Sequence, residues 1–167
     1  MMISTIGPFA RPIPEGPLRH VAAVVPAIEL RDIRLVDLSC ALEAALPEPP
    51  FTASLSHEVK ANVVDGNALV ILVRFFLRAT GRGDPSVEFL RLSAAFQLSY
   101  VGKDLNTLAP EQLSAFAGVN SVHNAWPYLR ELINSMTTRM GLPALTVPLL
   151  KVRQPKSVTR SKTKAKK

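Results

Sequence analysis

Residues 126–143, WPYLRELINSMTTRMGLP, carry the pattern on which the reading of this chain turns. Trp126, Leu129, Ile133, Met136 and Met140 recur at spacings of three and four, which puts them on one stripe of an α-helix. Gly141 stands where a helix takes a left-handed terminal residue, and Pro143 prevents continuation. Pro127 suits a first turn or a kinked entry, because its ring removes an intrahelical bond. Alone, such a stripe describes only a helix packed on a core.

Upstream, Pro110 is placed for the first turn of a shorter helix, with Leu113 and Phe116 as apolar contacts and Gly118 as a stop. Before Gly102 the period is two. VEFLRLSAAFQLSYV (87–101) puts Leu90, Leu92, Ala94, Phe96, Leu98 and Tyr100 on one side. NALVILVRFFLRAT (67–80) puts Leu69, Ile71, Val73, Phe75, Leu77 and Ala79 on one face, and mixes Val70, Leu72 and Phe76 with Arg74 and Arg78 on the other. TASLSHEVKANVV (52–64) runs into Asp65-Gly66, the pair best suited to a type I′ hairpin turn, and GRGDP (81–85) marks a second turn. AIELRDIRLVDLSCAL (27–42) alternates imperfectly, and its change of parity predicts a bulge near Arg31-Asp32. LPEPP (46–50) then acts as a rigid crossover.

Strands joined by three hairpin-like links and followed by helices predict an α+β domain: a four-stranded antiparallel sheet with two helices packed on one face. Two helices cover only one face of four strands. The other parity of strands three and four is too apolar for a wetted face, so self-association is expected to bury it, at about 25 cal/mol per Å².

A chain of 167 residues fits one domain, and no apolar run approaches the ~18 residues of a membrane span. The single cysteine, Cys40, rules out an internal disulfide and suits a reducing compartment. Residues 1–26 carry five prolines and no apolar leader core, so they read as a proline-rich mobile arm of a cytoplasmic protein. The domain proper spans 27–150. Beyond it, 151–167 hold Lys151, Arg153, Lys156, Arg160, Lys162, Lys164, Lys166 and Lys167 with no acid. That leaves 12 basic against 13 acidic residues in 1–150, a net of −1, and the +7 of the whole chain belongs to a basic, disordered tail.

Enzymatic readings find no support. His20, His57 and His123 lack a second ligand at metal spacing, Cys40 has no local histidine, and GRGD lacks the lysine and following helix of a phosphate loop. The tail supports a rival of another class, nucleic-acid binding, since spaced Lys and Arg on a flexible strand neutralise phosphates without reading sequence. No aromatic interleaves those charges, so base stacking is not indicated. A solubilising role, or electrostatic steering of an acidic client, fits the same residues.

The order of elements and the stretch Trp126–Pro148, WPYLRELINSMTTRMGLPALTVP, together resemble SecB, the bacterial export chaperone. The similarity lies in the aromatic-Pro-Tyr-x-Arg-Glu entry, the SM step and the Pro-x-Leu stretch closing on a proline. LSYVG (98–102) and SHEVK (56–60) are similar to a fourth-strand end and a second-strand start. LRDIRL (30–35) and LPALTVPLL (142–150) look closer to the solitary SecB-like chaperones found beside toxin–antitoxin pairs.

The resemblance implies dimers pairing into tetramers through the sheets, no enzymatic activity, no cofactor, and a groove that holds unfolded polypeptide. Clients would be unfolded preproteins or one antitoxin. Phe51, just after the proline crossover, is expected to flank that groove, with Phe75, Phe76, Phe89 and Trp126 as further candidates; Leu90 and Leu92 match the strand face through which the family assembles. Asp37 matches one acid used to dock the export motor ATPase. The next such position is Ala41 and the C-terminus is basic, which puts motor docking in doubt.

Overall fold

The computed structural model describes the backbone of residues 15–43, 51–81 and 87–150, with side chains from Leu18 onward. Its elements are helix α1 (Glu15–Val24), strands β1 (Ile28–Leu42), β2 (Phe51–Val64), β3 (Ala68–Gly81) and β4 (Glu88–Gly102), and helices α2 (Pro110–Phe116) and α3 (Val122–Arg139). The strands form one antiparallel sheet in the order β1-β4-β3-β2. The α+β class and the four antiparallel strands are therefore as expected.

Two of the links are hairpins, but β1 pairs with β4 and lies at the edge opposite β2. The third expected hairpin is replaced by a connection spanning the sheet, and the prolines of 46–50 belong to that connection. They lie outside the described residues, as does most of GRGDP. At the β2–β3 turn, Asp65 and Gly66 both take positive φ (52° and 70°), and Asn67 N–H donates to the Val64 carbonyl at 3.3 Å.

The register of β1 slips between Leu30 and Asp32, at the expected bulge, and again between Leu35 and Asp37. Each slip inserts one residue and flips the parity that follows. After both, Ile28, Leu30, Ile33, Leu35, Leu38, Cys40 and Leu42 sit opposite Gly102, Tyr100, Leu98, Phe96, Ala94, Leu92 and Leu90, on the helix-bearing face.

That face is the core. Leu69, Ile71, Val73, Phe75 and Leu77 of β3 are wholly buried, and the α3 stripe meets them with Ala125, Leu129 and Ile133 equally enclosed. Phe75 stands edge-on to Trp126 at 6.1 Å and to Phe96 at 6.2 Å, spacings suited to the ring quadrupoles. Asn124 donates to the Tyr100 hydroxyl at 3.1 Å, and Phe116 packs against the Tyr100 ring at 5.2 Å.

Three helical expectations are revised. Gly118 does not stop a helix: it lies inside a π-helical turn, Ala117–Ser121, that carries α2 into α3 without a break. A glycine ends a helix by adopting positive φ, which Gly118 does not, and Val122 and Ala125 carry the buried stripe across the junction. Pro127 lies inside α3, not in its first turn, so the His123 carbonyl loses its intrahelical donor. The proline-rich arm is in part a helix. Between Pro17 and Pro26 no residue breaks α1, and Val21 and Val24, three apart, are buried in the core.

The end of α3 follows the expected pattern. Gly141 takes φ 73°, its N–H bonds to the Thr138 carbonyl at 3.1 Å, and Leu142 N–H reaches the Thr137 carbonyl at 2.9 Å. The chain reverses there and runs extended through residues 142–150 along α3.

Ile133→Ala should leave a cavity under β3 and lower unfolding stability by about 2–5 kcal/mol. A shift of the denaturant midpoint at unchanged slope measures it.

Candidate functional site

Binding non-native chains requires apolar side chains within reach of solvent, and the expected aromatics differ sharply in this respect. Phe75 and Trp126 are core, so neither flanks a groove. Their period placed them on the covered parity, which explains their position. Phe76, on the opposite parity of β3, is half-buried on the bare face. Phe51, which follows the proline crossover, is the first residue of β2, and its ring meets Phe89 at 5.1 Å. Both are largely buried, yet both line a pocket at the end of the sheet. Its other walls are Ala53, Ala79 and Leu90 from the strands, Thr137 from α3, and Leu142, Pro143 and Leu145 beyond it.

Thr137 is the sole polar side chain in that lining, and its hydroxyl is committed. It donates to the Ile133 carbonyl at 2.8 Å and accepts Leu145 N–H at 3.1 Å. Among the described residues no buried side-chain nitrogen or oxygen lacks a partner. The pocket thus offers shape and apolar area with no polar group to orient a ligand, which suits a hydrophobic side chain of any identity.

Residues 142–150 form one rim of the pocket, and α3 holds them by donors aimed at main-chain atoms. Arg130 Nε donates to the Val147 carbonyl at 2.7 Å and Trp126 Nε1 to the Pro148 carbonyl at 2.9 Å. These bonds run antiparallel to α3, from Thr137 back to Trp126.

A second apolar surface lies along β1. Leu30, Leu35, Leu38 and Leu42 are 37%, 44%, 38% and 46% exposed, although they share the face of the core. On the α3 flank Tyr128 (51% exposed), Leu132, Met136 and Met140 follow at intervals of four. Cys40 Sγ of β1 lies 3.3 Å from Met140 Sδ, just past the end of α3, and the Tyr128 ring is 6.5 Å from that of Phe96 on β4, the strand beside β1. From Tyr128 to Met140 this strip is about 18 Å long at 1.5 Å per residue. Burial pushes the Cys40 thiol up, which weighs against a nucleophilic role.

Leu90 and Leu92 correct the expected assembly surface. Both lie under the helices and are almost wholly buried, so a second chain cannot reach them. The bare face is also less apolar than the alternation suggested. Val70, Leu72 and Phe76 are half-buried there among charges. Arg74 contacts Asp37 at 2.5 Å, Glu58 at 3.8 Å and Ser93 at 3.5 Å. Arg78 and Arg91 are direct cross-strand partners, and Glu88 pairs with both. Asp37 therefore already has an internal cation. The eight basic residues from Lys151 to Lys167 lie outside the described residues.

Two features had weak signals in the sequence. The β1 strip was hidden because the second bulge, at Val36, has no glycine or proline to announce it. The main-chain contacts of Arg130, Trp126 and Thr137 had only the prolines at 143 and 148 as a hint of an extended partner.

No protein-family model matches the chain, and no curated protein matches it by sequence. Among solved structures it is similar to a SecB-like chaperone of Mycobacterium tuberculosis, determined in complex with a peptide from an antitoxin. The superposition has a TM-score of 0.72 at 24% identity, covering 82% of this chain and 99% of that one. A protein of unknown function from Streptococcus agalactiae aligns at TM-score 0.47 and 11% identity, over 73% of this chain and 97% of that one. The class defined by sheet order and helix placement is α+β. Within it, the fold is SecB-like.

With its thiol pKa raised by burial, Cys40 should alkylate several-fold more slowly than a peptide cysteine near neutral pH. Its rate should climb only at a higher pH than the peptide's, as a rate profile with iodoacetamide would record.

Proposed function

We propose that this chain is a SecB-like, ATP-independent holdase. It binds unfolded or non-native polypeptides through apolar side chains and keeps them soluble for export or assembly, with no catalytic step and no cofactor. The observation that carries this reading is the pocket formed by Phe51, Phe89 and Leu145 at the open end of the core. It presents aromatic area with its one polar side chain, Thr137, already bonded, which favours many sequences over one. The shared fold supports the same reading.

The chain would work as a homo-oligomer assembled through β1. An edge strand of 15 residues with a half-exposed leucine row invites pairing, and a second copy of β1 running antiparallel would cover edge and row together. Such an interface is isologous, leaves the Phe51 pocket free, and permits a dimer of dimers.

A narrower variant is a chaperone dedicated to one antitoxin. It is favoured by the peptide that the Mycobacterium tuberculosis protein carries. The same pocket would serve, and the difference would lie in affinity for one client.

A chemically denatured model protein, diluted into the full chain, should remain in solution at near-stoichiometric amounts, as read by light scattering. Phe51→Asp should raise the amount needed about tenfold, equivalent to ~1.4 kcal/mol of client binding. Full activity in a variant that still unfolds cooperatively would remove the pocket from the mechanism. Suppression confined to an antitoxin encoded beside this chain, with none for model clients, would select the dedicated reading.

The double variant Leu35→Asp/Leu38→Asp should sediment at the mass of one chain while keeping its far-ultraviolet spectrum. An unchanged mass would place the contact elsewhere.

A further inference from the structure

Residues 143–150 are held differently from the rest of the described chain. Among the described residues no ladder or helix bond between backbones secures them; they are held by the Thr137 hydroxyl at Leu145 N–H, by Arg130 at the Val147 carbonyl and by Trp126 at the Pro148 carbonyl. All three bonds engage main-chain atoms, which every polypeptide has. The side chains contribute in the simplest way possible. Leu145 and Val147, two apart, turn inward and are buried, whereas Ala144, Thr146 and Pro148 face out. An extended chain with apolar residues at alternate positions is all that α3 demands of its ligand.

We infer that α3 carries a polypeptide-binding site which recognises main-chain carbonyls and two apolar side chains spaced two residues apart, and that residues 142–150 occupy it as a built-in substitute which a client segment displaces. This rests on the holdase reading and extends it from one pocket to a channel. Leu142, Pro143 and Leu145 are walls of the Phe51 pocket, so lifting the segment joins the pocket to the groove along α3 as far as Trp126.

The exchange is close to neutral, because a client segment restores the contacts that the substitute gives up. The tethered segment has the advantage of a high effective concentration. A client overcomes it by filling the Phe51 pocket at the same time. Chains with several apolar segments in extended form are therefore selected over short peptides, and folded proteins, whose carbonyls are already bonded, are ignored.

The test fixes the segment in place. Leu145 N lies 3.1 Å from Thr137 Oγ1, which brings the two residues within disulfide reach. Thr137→Cys/Leu145→Cys, made with Cys40→Ser, should close on oxidation. Its affinity for a labelled, permanently unfolded polypeptide, read by fluorescence anisotropy, should fall at least about tenfold on locking and return on reduction. Leu145→Ser, which weakens the substitute and leaves the α3 donors intact, should bind the same probe several-fold more tightly than the parent; simple damage would weaken it. Equal affinity of locked and reduced forms would overturn the displaced segment and leave the holdase reading standing. Binding by neither form, or by the parent chain, would end both.

Discussion

Both apolar surfaces are positioned by the contact of α3 with the covered face of β3 and β4. Phe75 is its centre, wedged between Trp126 above and Phe96 on the next strand, each ring presenting an edge to another's face. Because Leu129 and Ile133 are wholly enclosed, α3 cannot roll on the sheet without opening voids, and packing at crystal-like density penalises such motion. Fixing that roll angle fixes which residues look sideways. Arg130 and Thr137 are turned toward the returning chain, Tyr128 toward Phe96 of β4 and Met140 toward Cys40 of β1. The two apolar surfaces are thus by-products of one packing decision.

The sequence predicted most of the sheet because strands with one dry face must alternate, and β3 and β4 do so over their full lengths. The Schellman ending at Gly141 was equally visible, since few residues other than glycine adopt φ 73° without strain. What failed was any inference that needed to know which of two faces is covered. Leu90 and Leu92 are indistinguishable by period from an assembly face; only the seat of α3 places them beneath it. Gly118 was misread because composition shows that a glycine permits a stop, not that the chain takes it. The β1 strip was illegible because two bulges, at Arg31 and Val36, restored to one face residues whose numbering scatters them over both parities.

The fold keeps its charge and its grease apart. On the bare face the arginines at 74, 78 and 91 are each answered by a carboxylate on the same strand or a neighbouring one, Glu58 for Arg74 and Glu88 for the other two, so that surface is internally settled and weakly attractive to a partner. The exposed apolar groups gather on the helix side and at its margins. The division separates two kinds of contact: apolar burial on the helix side is non-directional, while the charged face is held by paired ions.

The segment after Gly141 also limits how this chain can change over generations. Its bonds engage carbonyls and an amide, so substitutions at 144, 146 and 149 cost little, while the donors at 126 and 130 and the acceptor at 137 each serve a bond that no drift in the segment can replace. Relatives of this protein should therefore preserve the receiving helix more strictly than the segment it receives, the reverse of what is usual where such a segment is merely core.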